Sequence, residues 1–187
     1  MRSGYAVQWS REVEENKAII EALIFSSDYP LSIDRIAAIL DNMAGDDIRH
    51  LIKVLMAEYQ ERRGGLCLCE IAGGFQFRTR EDLSPWIHRM AGGRPLMLTS
   101  AAMETLAVVA YKQPVVKAEI DRIRGVDVSG SLKGLLEKKL VRAMGRKDVP
   151  GKPIIYGTTK KFLEVFNLKD LSELPTLREL NELQDGA

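Results

Sequence analysis

Apolar residues recur at helical spacing from about Val13 to Ser26, where Ala18, Ile19, Ala22, Leu23 and Phe25 mark the inward stripe of a first helix. Asp28, Tyr29 and Pro30 interrupt that pattern. Ser32 then stands where an N-cap belongs, with Asp34 in the first turn of a short second helix carrying Ile33, Ile36, Ala37 and Leu40. A third helix is predicted from Gly45 to Arg63, with Ile48, Leu51, Ile52, Leu55 and Met56 inward and Gly64 and Gly65 ending it. The segment LCLCEIAGGFQFRT that follows reads as two strands joined by a turn at Gly73 and Gly74. Three helices followed by a hairpin is the order of a winged helix-turn-helix.

The same order returns after MAGGRP (residues 90–95), a glycine-rich linker between two periodic segments. Thr99 is placed to cap a helix holding Met103, Leu106, Ala107, Val109 and Ala110, which ends near Gln113 and Pro114. Val115 leads into a helix over Glu119 to Arg124, with Ile120 and Ile123 inward and Gly125 closing it. A third helix over Ser129 to Lys139 carries Leu132, Leu135 and Leu136 on one face, and LVRAMGRKDVPGKPIIYGTT supplies two strands around a Gly/Pro-rich wing. The expected fold class is mainly α with small β-hairpins (α+β), as tandem winged helix-turn-helix domains. Their predicted bounds are 1–90 and 96–168, with a linker at 91–95. A short helix around Phe162, Leu163 and Phe166 then leads to an acidic tail at 169–187, expected to be partly disordered.

An internal repeat supports the tandem reading. A constant offset of 84 converts Ala22, Phe25, Pro30, Leu31, Ile36, Ile39, Ile48, Leu51, Ile52 and Met56 into Leu106, Val109, Pro114, Val115, Ile120, Ile123, Leu132, Leu135, Leu136 and Leu140 without a gap.

Residue chemistry argues against catalysis. His50 and His88 have no His, Cys or acid at metal-ligand spacing. Cys67 and Cys69 would share one face of a strand, a poor geometry for a disulfide between them, and no second cysteine pair completes a zinc site. The glycine pairs lack the lysine and hydroxyl residue of a phosphate loop. Neither a catalytic residue nor a cofactor or metal is expected. No apolar run reaches the roughly 18 residues that span a bilayer, and the first residues lack a secretory pattern, so a cytoplasmic chain is expected and no membrane partner.

The overall charge is nearly neutral, with 27 Lys plus Arg against 26 Asp plus Glu, but its distribution is not. From Lys112 to Lys161 there are 13 Lys plus Arg and 5 Asp plus Glu, a local excess of eight. Lys133, Lys138 and Lys139 on the third helix of the second domain and Arg146, Lys147 and Lys152 in its wing are placed where a winged helix meets phosphates. That helix, SGSLKGLLEKK, has few side chains suited to reading base edges. The same basic surface suits an acidic or amphipathic protein segment. Protein binding is therefore the first reading, and a DNA-binding winged-helix regulator with weak nucleic-acid contact is the alternative.

Two stretches carry a resemblance: LTSAAMETLAVVAYKQPVVKAEIDRIRGVD and GRKDVPGKPIIYGTTKKFLEVFNLKDLSELP. They are similar to the segregation and condensation protein B family of bacterial chromosome-organising proteins. The residues that carry the likeness include Glu104, Thr105, Tyr111, Gln113, Pro114, Glu119, Arg124, Gly125, Gly145, Arg146, Lys147, Asp148, Pro150, Gly151, Tyr156, Gly157 and Thr158. IIEALIFSSDYPLSIDRIA and GGFQFRT extend it more loosely over the first domain. The resemblance implies a non-enzymatic subunit that homodimerises mainly through its first domain. It would bind the kleisin that closes the ring of a structural-maintenance-of-chromosomes (SMC) ATPase, reach the ATPase through that kleisin, and act at the nucleoid. A kleisin contact is placed at Tyr111, Gln113, Arg124, Arg146, Lys147, Asp148 and Tyr156. The bland alternative for Tyr111 and Tyr156 is a place in the core. A dimer contact is placed at Leu66, Ile71 and Phe75, near a strand edge.

Overall fold

A computed structural model describes residues 3–41, 43–92, 98–176 and 179, with side chains of the first helix described from Glu12 onward. The chain divides into two compact units, Met1–Gly93 and Arg94–Ala187.

In the first unit, α1 (Ser3–Phe25), α2 (Ile33–Ala37) and α3 (Gly45–Arg62) precede an antiparallel hairpin of β1 (Leu66–Ile71) and β2 (Gly74–Thr79). Ser32 caps α2 as expected, its hydroxyl accepting from Arg35 N. Ile20 and Ile24 from α1 meet Ile36, Ile48, Ile52 and Leu55 in one buried cluster. Ile20 and Ile24, four residues apart, form the inward stripe of α1. Phe25, expected on that stripe, is instead 69% exposed and lies edge-on to Phe77. The α1 helix also begins well before Val13, and α3 ends on Arg63 in the left-handed conformation (φ 47°) rather than on Gly64.

The hairpin turn is Ala72–Gly73, both at positive φ (52° and 76°), as a two-residue turn matched to strand twist requires. Gly74 is already strand, paired with Ile71. It must be glycine because a Cβ there would lie 2.7 Å from the carbonyl carbon of Pro30. The close approach lets Leu31 act as a one-residue third strand, exchanging two 2.9 Å hydrogen bonds with Phe75. A 3-10 turn (Glu81–Leu83) and a helix the sequence pattern did not announce, α4 (Ser84–Ala91), follow. The segment expected as a linker thus starts inside a helix: Ala91 ends α4 and Gly92 caps it, while 93–95 lie outside the described residues.

The second unit repeats the plan with α5 (Ser100–Lys112), β3 (Val115–Val116), α6 (Lys117–Arg124), α7 (Ser129–Glu137), β4 (Val141–Arg146), β5 (Ile154–Thr158) and α8 (Lys160–Val165). Thr99 caps α5 and Thr159 caps α8, each hydroxyl accepting a backbone N–H three residues on. The sheet order is β3-β5-β4, all antiparallel, with a bulge at Ala143/Gly145. Leu106, Val109, Ile120, Leu132, Leu135, Leu140 and Phe162 form the core, and Leu168 and Leu174 of the following segment pack against it. Of the tail expected from 169, residues 177, 178 and 180–187 lie outside the described residues.

Burial follows the repeat closely between the helices. Leu31 and Val115, Ile36 and Ile120, Ile48 and Leu132, Leu51 and Leu135 are buried in both units. Ile39 and Ile123 are both exposed, so Ile123 does not point inward as expected. The match drifts by one residue in the first helix. Buried Ile24, not exposed Phe25, is the counterpart of buried Val109.

Candidate functional site

Among the described residues no group of three His, Cys, Asp or Glu gathers as a metal would need, and no helix is long and apolar enough to cross a membrane. Cys67 and Cys69 do share a strand face, with sulfurs 3.5 Å apart. Burial, reinforced by the Cys67 thiol, pushes the Cys69 thiol up to about 11, so it stays protonated near neutral pH and is a poor nucleophile.

In the second unit the expected contact residues divide into two sets. Gln113 caps the end of α5 and is fully used internally. Its Oε1 accepts from Thr158 N (2.8 Å) and Thr158 Oγ1 (3.1 Å), and its Nε2 donates to Ala110 O (3.0 Å). A Cβ at Gly157 would overlap Met144 Sδ and lie 2.9 Å from that same Oε1. Arg124, 12% exposed at its side chain, donates from Nη1 to Glu104 Oε2 at 2.5 Å and so ties α6 to α5. Tyr156 is half-buried on the core, opposite Ala143 and Val115. These three hold the unit together from inside.

Tyr111, Arg146, Lys147 and Asp148 are exposed. The Tyr111 hydroxyl donates to Pro175 O at 2.6 Å, tethering the chain after α8 to the end of α5. Arg146 braces the wing by donating to Lys152 O, and Lys147 pairs with Glu119 at 3.2 Å. The structure does not gather these residues into one spot. Arg146 pairs with Ile154 at the wing tip, while Gln113 grips Thr158 at the wing base, four residues and about 13 Å along β5.

Helix α6 joins the parts. Glu119 accepts from Val116 N (3.3 Å), capping its own helix, and holds Lys147 of the wing. Lys117 bridges Asp121 (2.7 Å) and Asp127 (2.5 Å), whose carboxylates also accept from the backbone N–H groups of Val128 and Ser129 at the start of α7. Sequence reasoning missed this brace because no Ser or Thr precedes Glu119 at cap spacing to advertise it.

The network has a pH signature. The Val116 N–H and then the Lys147 ammonium hold Glu119 below its usual range. Lys117, and then the backbone at Val128, does the same for Asp121, and Lys117 followed by Ser129 for Asp127. A carboxylate with a depressed folded-state pKa stabilises fully above its unfolded pKa of about 4. That stabilisation fades as pH falls through the folded value. The urea midpoint of the second unit is therefore expected to be flat from pH 7 to 5 and to drop below pH 4. A midpoint unchanged between pH 7 and 3 contradicts the brace.

The two expected contact regions outside this set fare differently. Lys133 is exposed (79% at its side chain) on α7 beside Glu137 at 3.9 Å, Lys138 and Lys139 follow the helix end, and Lys152 is in the wing. The outer face of α7 is Ser129, Gly130, Lys133 and Glu137, with no Arg, Asn or Gln for a base edge. In the first unit Ile71 and Phe75 are not surface residues. Both are buried, at 1% and 5% exposure: Phe75 shares its face with Leu68 in the core cluster, and Ile71 is buried on the opposite face beside the turn. Leu66 alone of the three is exposed, at 38%.

Two units, each three helices closed by a β-wing and each with its own core, define a tandem winged-helix protein. The chain belongs to the family of segregation and condensation complex subunit ScpB, whose model matches residues 18–177. Segregation and condensation protein B of Syntrophotalea carbinolica is 47% identical over 90% of this chain and 85% of its own length, and that of Desulforamulus reducens is 40% identical over 89% and 91%. A crystal structure of a dimer of an ScpB N-terminal domain complexed with a ScpA peptide is also similar. It is 29% identical, covers 45% of this chain and 97% of its own, and has a TM-score of 0.40.

Proposed function

We infer that this chain is a non-enzymatic subunit of the bacterial SMC–kleisin condensin, binding the kleisin directly and the SMC ATPase through it, and acting at the nucleoid in chromosome condensation and segregation. Membership of the ScpB family over residues 18–177 carries this reading. The architecture agrees with it: two compact units, exposed basic and aromatic side chains on the second, and an α7 face poor in base-reading groups, which disfavours a sequence-reading regulator.

The kleisin contact on the second unit is formed by Tyr111 and the wing residues Arg146, Lys147 and Asp148. Gln113, Arg124 and Tyr156 act from behind, fixing the strand and helices that present them. The domain bounds of 1–90 and 96–168 delimit the dimerising and kleisin-binding halves. Dimerisation through the first unit uses exposed apolar side chains such as Leu66, Phe25, Tyr29, Trp86 and Met90.

Size-exclusion chromatography with light scattering tests both associations. The protein alone is expected at twice the mass of one chain. Mixed with the kleisin encoded in the same genome, it is expected to co-elute as a larger species. A lone-chain mass at micromolar concentration sinks the dimer, and two separate peaks well above micromolar sink the kleisin reading.

A further inference from the structure

Part of the excess positive charge of the second unit is already paired on α7 and in the wing. On α7, Lys133 faces Glu137. In the wing, Lys147 is paired with Glu119, and Asp148 lies beside it. The unspent charge gathers at the opposite end of the wing. Lys138 and Lys139 follow α7, and the Lys139 and Leu140 carbonyls accept from Thr159, the cap of α8. That junction brings Lys160 and Lys161, which open α8, against the Lys138–Lys139 turn. Arg142 stands one residue into β4, opposite Gly157, where Val141 pairs with Thr158. All five side chains belong to exposed residues, and among the described residues only Lys161 has an ion pair within reach, to Glu164 at 3.0 Å. Arg146 at the wing tip is four residues beyond Arg142 along β4, about 13 Å away.

We propose that this wing-base cluster, Lys138, Lys139, Arg142, Lys160 and Lys161, is a sequence-independent binding site for the phosphate backbone of duplex DNA. The cations are exposed residues at the end of α7 and the starts of β4 and α8, and the cluster has no amide or aromatic member to read bases. Several cations without base-reading groups match a repeating phosphate array. Charge alone would also attract an acidic peptide, but a peptide that gains further by adding a strand needs a pairing edge. The edge beside Arg142 is interrupted by the bulge at Ala143/Gly145, which blunts strand addition. The choice of DNA over other polyanions rests on the chromosomal role proposed above. There the site would hold the subunit against DNA while the wing-tip face stays available to the kleisin.

Fluorescence anisotropy with a labelled, arbitrary-sequence duplex of about 30 base pairs tests this, since counterion release fixes the salt dependence at about 0.9 per phosphate contact. The full-length protein should bind at about 50 mM salt, with affinity falling at a log–log slope of about −4 to −5. The triple variant Lys138→Gln, Arg142→Gln, Lys160→Gln changes only exposed side chains. It should bind at least about tenfold more weakly at that salt, with a slope near −2. The matched variant Arg122→Gln, Lys133→Gln, Lys152→Gln, also exposed and outside the kleisin contact, should keep a slope near that of the unchanged protein. Far-UV circular dichroism and kleisin co-elution, run on the same samples, separate loss of the site from loss of fold. They also keep a failure of kleisin binding distinct from a failure here. Three results would overturn the proposal: no DNA binding at 50 mM salt, loss in the matched variant instead of the wing-base one, or poly-glutamate binding tighter than the duplex.

Discussion

Replacing Gly74 with alanine is expected to destabilise the first unit by about 2–4 kcal/mol while leaving the second unit's unfolding transition in place. The added Cβ would lie 2.7 and 2.8 Å from the carbonyl carbon and oxygen of Pro30 and 2.9 Å from the carbonyl carbon of Leu31. All three are backbone atoms, so no rotamer change relieves the overlap. Relief requires moving the 30–31 segment off β2, which breaks the two Leu31–Phe75 hydrogen bonds, each contributing about 1 kcal/mol, and draws both side chains out of the core. Gly73→Ala is the internal comparison. At φ 76° with nothing within 4 Å of its Cβ, it meets only the left-handed backbone penalty of about 1–2 kcal/mol. Both tryptophans, Trp9 and Trp86, belong to the first unit, so urea melts followed by tryptophan fluorescence report that unit, and far-UV circular dichroism reports both. The expected result is a fluorescence midpoint lowered more by Gly74→Ala than by Gly73→Ala. Equal midpoints for the two variants would mean that the chain can yield at Pro30 without losing the Leu31 bridge.

These two glycines also show what a sequence makes legible. Local chemistry read well: the caps at Ser32 and Thr99, the closure at Gly125 (φ 70°) and the span of α3 all depend on residues within a turn of one another. The hairpin is legible too, but two adjacent glycines look alike, and the turn falls one residue earlier than they suggest. One serves turn geometry; the other makes room for a segment more than forty residues away. Helix α4 escaped the periodicity argument for a related reason. Trp86, Ile87 and Met90 do recur at helical spacing, but over only eight residues and with no side chain buried, so the stripe is too short to stand out; Pro85 in its first turn and Gly92 after its end are readable start and stop signals. Strand β3 is two residues long and exists only through pairing with β5. At the site, spacing identified which polar residues are special but not which way they face. Gln113 turns inward to the buried Thr158 and Ala110, Arg124 is largely covered while it holds the exposed Glu104, and Ile71 and Phe75 take core positions that an apolar pattern alone cannot tell from a sticky edge.

Gln113 is where that ambiguity has the largest consequence. Truncation to alanine removes the acceptor for the Thr158 amide and hydroxyl, on a residue only 9% exposed, and the donor to the Ala110 carbonyl. Leaving buried donors unsatisfied costs about 1–3 kcal/mol each, so the second unit is expected to lose about 3 kcal/mol in all. Gln113→Glu keeps the acceptor for both Thr158 groups but loses the donor and sets a carboxylate against the Ala110 carbonyl, so it should recover only part of that loss. The first unit's fluorescence midpoint should not move in either variant. Kleisin binding measured at low temperature, where the variants remain folded, then decides the role of the side chain. If Gln113 only positions β5 beneath the wing, Gln113→Ala binds close to normally when cold and loses binding in step with its earlier melting. If it touches the kleisin, affinity falls at every temperature, including those at which the second unit is fully folded. A variant with unchanged stability would overturn the hydrogen-bond account itself.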